Sequence, residues 1–439
     1  MNMKKTLCSS LALLLLFLLM EPVSTIWANP HQVSGHQSYD ESSEYPAPQD
    51  REPKALFIIV DGISADILEM IHTPNLDRIA REGSYTRAWL GGEAGGYSES
   101  PTVSAVGYNH LLTGVWSNKH NVYDNEIENP NYNYWNLFRL FKEQRPEDSV
   151  AVYSSWLDNR TKLIGDGLPE AGGIQVDIHY DGYEQDTLRF PHEGAYVQDI
   201  DELVSEKAAK SLIEDGPYLS WVYLWFPDSA GHAFGEGEEQ FEAIRVADRQ
   251  VGRIWDAVQH RQQKFEEDWL VIVTTDHGRQ LPDGSGHGGQ TERERTIWMV
   301  TNMQERNRYF DAMDPAIVDI YPTISHHLGL EIPRDLDFEL DGVPMNREIS
   351  ISDPLLEWDD QNRQLTIQWN SWQDEGYLRI KAATTNKFSE GGRDDYQLLG
   401  EFPLIDRSAT VELGDLPSDF YKIVLDAPKN SVNRWLILK

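Results

Sequence analysis

Ala55-Leu56-Phe57-Ile58-Ile59-Val60-Asp61 is the stretch that decides the fold. An unbroken apolar run of this length, closed by a carboxylate, reads as a strand buried on both faces. Such strands belong to parallel sheets covered by helices on both sides. In open sheets of this kind ligands collect beyond the carboxyl ends of the strands, which is where this strand delivers Asp61.

Working outward, Ser149–Tyr153, Tyr218–Trp225, Trp269–Thr274 and Thr296–Val300 are further strand candidates. Between them lie helix candidates Thr73–Glu82, Ser104–Leu112, Val197–Ile213 and Glu238–Gln262. The last carries Phe241, Ile244, Ala247, Val251, Ile254, Trp255 and Val258 on one helical stripe. Strand–helix alternation predicts an α/β protein with a mostly parallel sheet and helices on both faces. Asp61, Asp228, Asp276 and His277 each follow, or lie close to, the end of a strand candidate.

The pattern changes near residue 350. Leu355–Trp358, Gln364–Trp369, Tyr377–Ala383, Tyr396–Phe402, Ala409–Leu413, Tyr421–Leu425 and Arg434–Leu438 are short segments separated by turn residues. They predict a small C-terminal β-sandwich of fibronectin type III-like size over 349–439, after a catalytic region over 53–348. The sandwich reads first as a scaffold packed on the catalytic part, and second as a surface for a glycan or a protein partner.

The amino terminus reads as an export signal. Lys4 and Lys5 precede the apolar run Leu11–Met20, too short for an ordinary membrane span, and Ala28 offers a small residue for cleavage. Residues 29–52, rich in Ser, His, Pro, Gln and Glu, read as a flexible leader. Cys8 is the only cysteine, so a chain cleaved after Ala28 has no disulfide and no thiolate for a metal. These features predict a secreted or periplasmic protein with no membrane span after cleavage.

The net charge of −34 argues against a nucleic-acid polymer as partner, since phosphate backbones are held by clustered Lys and Arg. The acids are spread along the chain, as expected of a solvated acidic surface. A small anionic substrate remains compatible if metal ions neutralise the site locally.

Two segments carry chemistry: Asp228-Ser229-Ala230-Gly231-His232 and Thr275-Asp276-His277-Gly278, with Gly286-His287-Gly288-Gly289 close behind. Carboxylate and imidazole ligands in mixed pairs suit zinc. Any single Asp or His here could be a cap or a satisfied core residue; the set in this order reads as a two-metal hydrolytic site. The order Asp61, Ser104, Asp228-x-x-x-His232, Asp276-His277, His287 resembles the alkaline phosphatase superfamily, most closely its nucleotide pyrophosphatase/phosphodiesterase branch. Thr73-Pro74-Asn75-Leu76-Asp77-Arg78, Asp319-Ile320-Tyr321-Pro322-Thr323 and Leu340-Asp341-Gly342 extend the resemblance over roughly residues 54 to 348.

The resemblance implies two Zn2+ ions, one held by Asp228, His232 and His287. The other would be held by Asp61, Asp276 and His277, with the oxygen of Ser104 as a further ligand. It implies Ser104 as nucleophile, forming a phosphoserine, and Asn125 as a donor to a nonbridging phosphate oxygen. Thr102, the neighbouring hydroxyl, reads as a turn or capping residue. A serine opening a helix also gains free backbone N–H groups suited to a phosphoryl oxygen.

The chain departs from the branch at Ala105, where an aromatic residue usually follows the nucleophile, and at Val106-Gly107. A small-molecule phosphate ester is thus the expected substrate, with a nucleotide less secure than the phosphoryl chemistry. Arg279, beside His277, reads as a salt-bridge residue behind the ligands before a contact for a substrate anion, and Trp89, Tyr97 and Tyr108 as core aromatics before pocket residues. His110, His120, His326 and His327 lack ligand spacing. A sulfatase is disfavoured, because Ser104-Ala105-Val106-Gly107-Tyr108 lacks the Arg of a formylglycine signal. A phosphomonoesterase or phosphonate hydrolase is the nearer rival. A non-catalytic binding protein would have been expected to lack a ligand.

Overall fold

The computed structural model describes residues 51–192, 196–413 and 416–438. The expected export signal and residues 29–50 of the leader lie outside them; Glu52, the leader's last residue, already opens a strand.

Seven strands form the first sheet: β1 Glu52–Val60, β2 Ser84–Trp89, β3 Val150–Ser154, β4 Ile178–Tyr180, β5 Leu219–Leu224, β6 Glu267–Thr274 and β7 Thr296–Thr301. Their order is β2-β7-β6-β1-β5-β3-β4. The pairs among β6, β1, β5, β3 and β4 are parallel, while β7 runs antiparallel to both β6 and β2. The apolar run thus sits at the centre of a mostly parallel sheet. Its side chains alternate between two cores: Ala55, Phe57 and Ile59 face one, Leu56, Ile58 and Val60 the other. The Glu238–Lys264 helix closes the second core with Ile244, Ala247, Val251, Ile254, Trp255 and Val258, the stripe expected from its sequence. The Ser104–Thr113 helix lies against the first core and is buried at every position.

All seven C-terminal segments are strands: β8 Ile351–Asp359, β9 Gln364–Ser371, β10 Tyr377–Ala383, β11 Gln397–Pro403, β12 Ser408–Glu412, β13 Phe420–Asp426 and β14 Ser431–Ile437. They form two antiparallel sheets, β11-β10-β13-β14 and β12-β9-β8, around a core that includes Ile367, Ile380, Ile423 and Leu425. Tyr421 on β13 donates its hydroxyl to the Leu416 carbonyl and accepts from Ser418 N–H, tying the preceding turn to the sheet. Among the described residues no helix is long and apolar enough to cross a membrane.

Candidate functional site

Register builds the site. Ile59 on β1 pairs with Thr274 on β6, so two residues further along both strands Asp61 and Asp276 emerge side by side. The Phe226–Phe234 helix, which begins directly after β5, carries Asp228 and His232 one turn apart. The chain after β6 supplies His277 and then the loop bearing His287. Gly62, at φ +68°, allows the turn after β1: a Cβ there would stand 2.5 Å from Asp228 Oδ1. Gly107 explains one departure noted in the sequence. A Cβ at that position would lie 2.6 Å from the Asp276 carbonyl oxygen, so glycine lets the Ser104 helix approach this strand end.

All three imidazoles are oriented in the same way. His277 Nδ1 contacts the Gly278 carbonyl at 3.0 Å, His232 Nδ1 that of Ser285 at 2.9 Å, and His287 Nδ1 that of Thr102 at 2.8 Å. A carbonyl only accepts, so each Nδ1 donates; in a neutral ring that leaves Nε2 as a lone pair, and each Nε2 faces inward. These lone pairs converge. His232 Nε2 lies 3.1 Å from His287 Nε2 and 3.4 Å from Asp228 Oδ2. His277 Nε2 lies 3.4 Å from Asp61 Oδ1, 3.3 Å from Asp276 Oδ2 and 3.4 Å from Ser104 Oγ. With no proton on Nε2, such contacts between lone pairs and carboxylates need a cation among them.

The carboxylates agree. Tyr108 and Tyr223 both donate to Asp61 Oδ2, Tyr223 at 2.6 Å, and leave the buried Oδ1 without a hydrogen bond. Asp276 accepts from Gly62 N–H at 3.1 Å on Oδ1, while its buried Oδ2 also lacks a partner. Burial, with repulsion from Asp276 and Asp228, raises the Asp61 carboxyl well above the usual range. Asp276 is pushed up to about 7, by burial first and Asp228 second. Burial likewise drives His277 well down. These are the signs of anionic groups short of positive charge. Arg279, fully buried, meets Asp228 Oδ1 at 2.5 Å and so neutralises one carboxylate of the three. Among the described residues, two groups have ligand atoms within 4.8 Å of one another: Asp61, Asp276 and His277, and Asp228, His277 and His287. The first is the trio implied by the resemblance. In the second His277 stands where His232 was expected, because the His277 and His287 rings stack at 3.6 Å. The donor set fits divalent metal ions.

Ser104 opens its helix beside these ligands. Asn125, on an exposed turn, accepts the Ala105 N–H through Oδ1 at 2.9 Å, which leaves its Nδ2 available as a donor next to Ser104. Thr102 braces the His287 loop: its hydroxyl donates to the Gly289 carbonyl and accepts from Gly288 N–H. A cavity of about 450 Å³ opens over Asp61, Ser104, Asn125, Asp228, His232 and His287. Tyr108 lines it too, whereas Trp89 stacks on Trp116 and Tyr97 on Trp435. The remaining histidines bond elsewhere: His110 with His120, His326 with Asn346, and His327 with the Lys54 and Asp268 carbonyls. Tyr223, Trp156 and Trp225, not singled out in the sequence, also line the cavity. Trp225 closes one strand candidate and Trp156 follows another, which was the available signal; Tyr223 lies inside its strand.

Fold and site together define an α/β protein whose sheet edge gathers two potential metal-ligand groups beside a serine at a helix start. The chain belongs to the type I phosphodiesterase / nucleotide pyrophosphatase family, whose model matches residues 55–355. It is 24% identical over 244 residues to ectonucleotide pyrophosphatase/phosphodiesterase family member 7 of Mus musculus, covering 53% of this chain and 51% of that one. It is 22% identical to the venom phosphodiesterase of Naja atra over 54% of this chain and 28% of that protein. The chain thus spans about half the length, or less, of these curated relatives. Among solved structures, the phosphonate monoester hydrolase of Agrobacterium radiobacter matches with a TM-score of 0.46 and 16% identity, over 82% of this chain and 89% of that one.

Proposed function

We propose that the protein is an exported, zinc-dependent hydrolase of phosphoric esters, acting on phosphodiesters through Ser104. The observation that carries this reading is the convergence of three imidazole lone pairs and two unpartnered carboxylate oxygens beside the Ser104 hydroxyl. Family membership supports the reaction class.

On this reading Asp228, His232 and His287 hold one zinc, and Asp61, Asp276 and His277 the other. When bound, the ions supply the positive charge that polarises the phosphoryl group and favours ionisation of the serine hydroxyl. Ser104 Oγ attacks phosphorus in line with the ester oxygen, the P–O bond to that oxygen breaks, the serine proton passes to solvent, and the departing alkoxide takes a proton from solvent. Asn125 Nδ2 and the Ser104 backbone N–H hold the nonbridging oxygens as charge grows on them. Water then attacks the phosphoserine, the P–Oγ bond breaks, and Oγ takes back a proton. Two in-line displacements retain configuration at phosphorus.

The test is parallel hydrolysis of a bis-aryl phosphate, an aryl phosphate monoester and an aryl sulfate, with chelated enzyme as control. The diester should be preferred and chelation should abolish turnover. Monoester preference would move the protein toward phosphatases, and sulfate preference would refute the reading. Ser104→Ala should lower turnover by at least about a thousandfold while zinc stays bound; unchanged turnover would remove Ser104 from the scheme.

A further inference from the structure

The guanidinium of Arg279 is set into the candidate metal site, fully buried. Glycines make its berth. A Cβ at Gly231, in the helix that carries Asp228 and His232, would stand 2.5 Å from its Cζ, and one at Gly62 would stand 2.8 Å from its Nη1. Each of its three nitrogens is engaged. Nη1 donates to Asp228 Oδ1 at 2.5 Å, Nε to the Gly284 carbonyl and Nη2 to the Ser285 carbonyl at 3.3 Å. The Ser285 carbonyl also accepts from His232 Nδ1 at 2.9 Å. One side chain thus holds Asp228 directly and His232 through a shared carbonyl.

This contact makes the two ligand groups unequal. Asp61 Oδ1 and Asp276 Oδ2, buried and without hydrogen bonds, are both free for an ion beside His277. Asp228 has already given one oxygen to the guanidinium, and the His232 side chain is 48% exposed. An ion there meets a partly neutralised carboxylate and a ligand that water competes for. The charge count adds a second asymmetry. With the imidazoles neutral, Asp61, Asp228 and Asp276 against Arg279 leave two negative charges. One divalent ion in the Asp61 group cancels them. With a second ion the cluster carries two positive charges, which burial penalises unless anions arrive too. An ionised serine and a monoanionic phosphodiester together bring two negative charges, as does inorganic phosphate at about pH 8.

Resting on the two-metal hydrolase reading above, we propose that Arg279 is a positioning residue that couples metal binding to substrate binding. By holding Asp228 it weakens the Asp228–His232–His287 site, so the ion there is held firmly only together with an anionic phosphoryl group. The ion of Asp61, Asp276 and His277 is the resident one. Both sites fill when zinc is in excess. By thermodynamic reciprocity the second ion and the anion tighten each other by the same factor.

Zinc isotherms of the full-length protein test this, read in competition with a chromophoric chelator, with and without millimolar inorganic phosphate at about pH 8. The protein should bind zinc in two steps, the second at least about tenfold weaker than the first. Phosphate should tighten the second step at least about tenfold and the first less than about twofold. His232→Ala should erase the weak step and leave the tight one. Arg279→Met should strengthen the second step without phosphate and shrink the phosphate effect, whereas Arg279→Lys, which keeps the charge, should retain that effect. If Arg279→Met fails to fold, the unsubstituted protein and Arg279→Lys still decide. Two steps of equal affinity, or a second step indifferent to phosphate, would overturn the proposal, and hydrolysis of the bis-aryl phosphate would leave the hydrolase reading standing. A folded Arg279→Met protein that binds its second ion no better would overturn it as well. A protein that binds no zinc and hydrolyses no ester would instead sink the reading on which the proposal rests.

Discussion

At the carboxyl edge of the seven-stranded sheet three buried carboxylates, Asp61, Asp228 and Asp276, share the single guanidinium of Arg279. Where the sandwich meets the rest of the chain, Glu339, Asp341 and Asp394 share the two ammonium groups of Lys119 and Lys422. The second cluster is nearly complete, with Glu339 Oε2 alone among its carboxylate oxygens lacking a hydrogen bond. Lys119 directs its three N–H bonds to the Glu339 carbonyl at 2.6 Å, Asp341 Oδ1 at 2.7 Å and Asn433 Oδ1 at 2.9 Å. Lys422 bridges Glu339 Oε1 at 2.5 Å and Asp394 Oδ2 at 2.9 Å. The first cluster instead leaves an oxygen of Asp61 and one of Asp276 bare, opposite imidazoles that have no proton to give. Burying charge is tolerated only when the charge is paired. One cluster is paired by the chain itself and acts as structure; the other is built to be paired by something that binds.

The sharpest way to break this contrast is at Lys422. Lys422→Met leaves Glu339 and Asp394 buried and unpaired, and should cost about 3–5 kcal/mol in denaturant unfolding, with or without zinc. A loss under about 1 kcal/mol would mean that water already reaches this junction.

The next effect concerns the bare oxygen of Asp61. Tyr223→Phe removes one of the two hydroxyls that fix Oδ2 and turn Oδ1 inward. Zinc affinity in competition with a chromophoric chelator should fall about 10- to 100-fold, while the chelated protein should change little. Unchanged affinity would show that Tyr108 alone orients the carboxylate.

The smallest effect has the opposite sign to the first. Asp276→Asn places an amide N–H opposite His277 Nε2, which lies 3.3 Å from Asp276 Oδ2. It should weaken zinc binding yet stabilise the chelated protein by about 1 kcal/mol. The gain should also depend on pH. Folding raises the Asp276 carboxyl to about 7, so between its unfolded value and about 7 the native chain holds a proton that the unfolded chain has lost. Native stability from this group therefore falls as pH rises through that window. The advantage of asparagine should accordingly be small near pH 4 and largest above pH 7. A destabilised chelated variant at neutral pH would contradict the idea that this cluster lacks positive charge.

The central strands and helices were legible in the sequence because their apolar residues keep a strict period: continuous in β1 and on one stripe in Glu238–Lys264. β2 and β4 were not. β2, Ser-Tyr-Thr-Arg-Ala-Trp, is an edge strand with mixed exposure, and β4 has three residues without full burial; neither leaves an apolar run. The candidate ligands could be picked out because strand ends and mixed Asp/His pairs are local signals. What orients them could not. The Tyr223 hydroxyl is hidden within an apolar strand, and its contact with Asp61 spans 162 residues. That Trp156 and Trp225 line one cavity depends on the register of β3 against β5. The lysine cluster joins residues 222 and 83 apart in sequence, with no periodic pattern to announce it.

The central claim is that the sheet-edge cluster is short of positive charge that two divalent ions supply. Equilibrium dialysis of the chelated full-length protein against zinc, followed by elemental analysis, tests it most directly. The account predicts two zinc ions per chain, still two in Ser104→Ala and fewer in Asp276→Asn. A protein that retains no zinc, or whose zinc content is unmoved by Asp276→Asn, would contradict it.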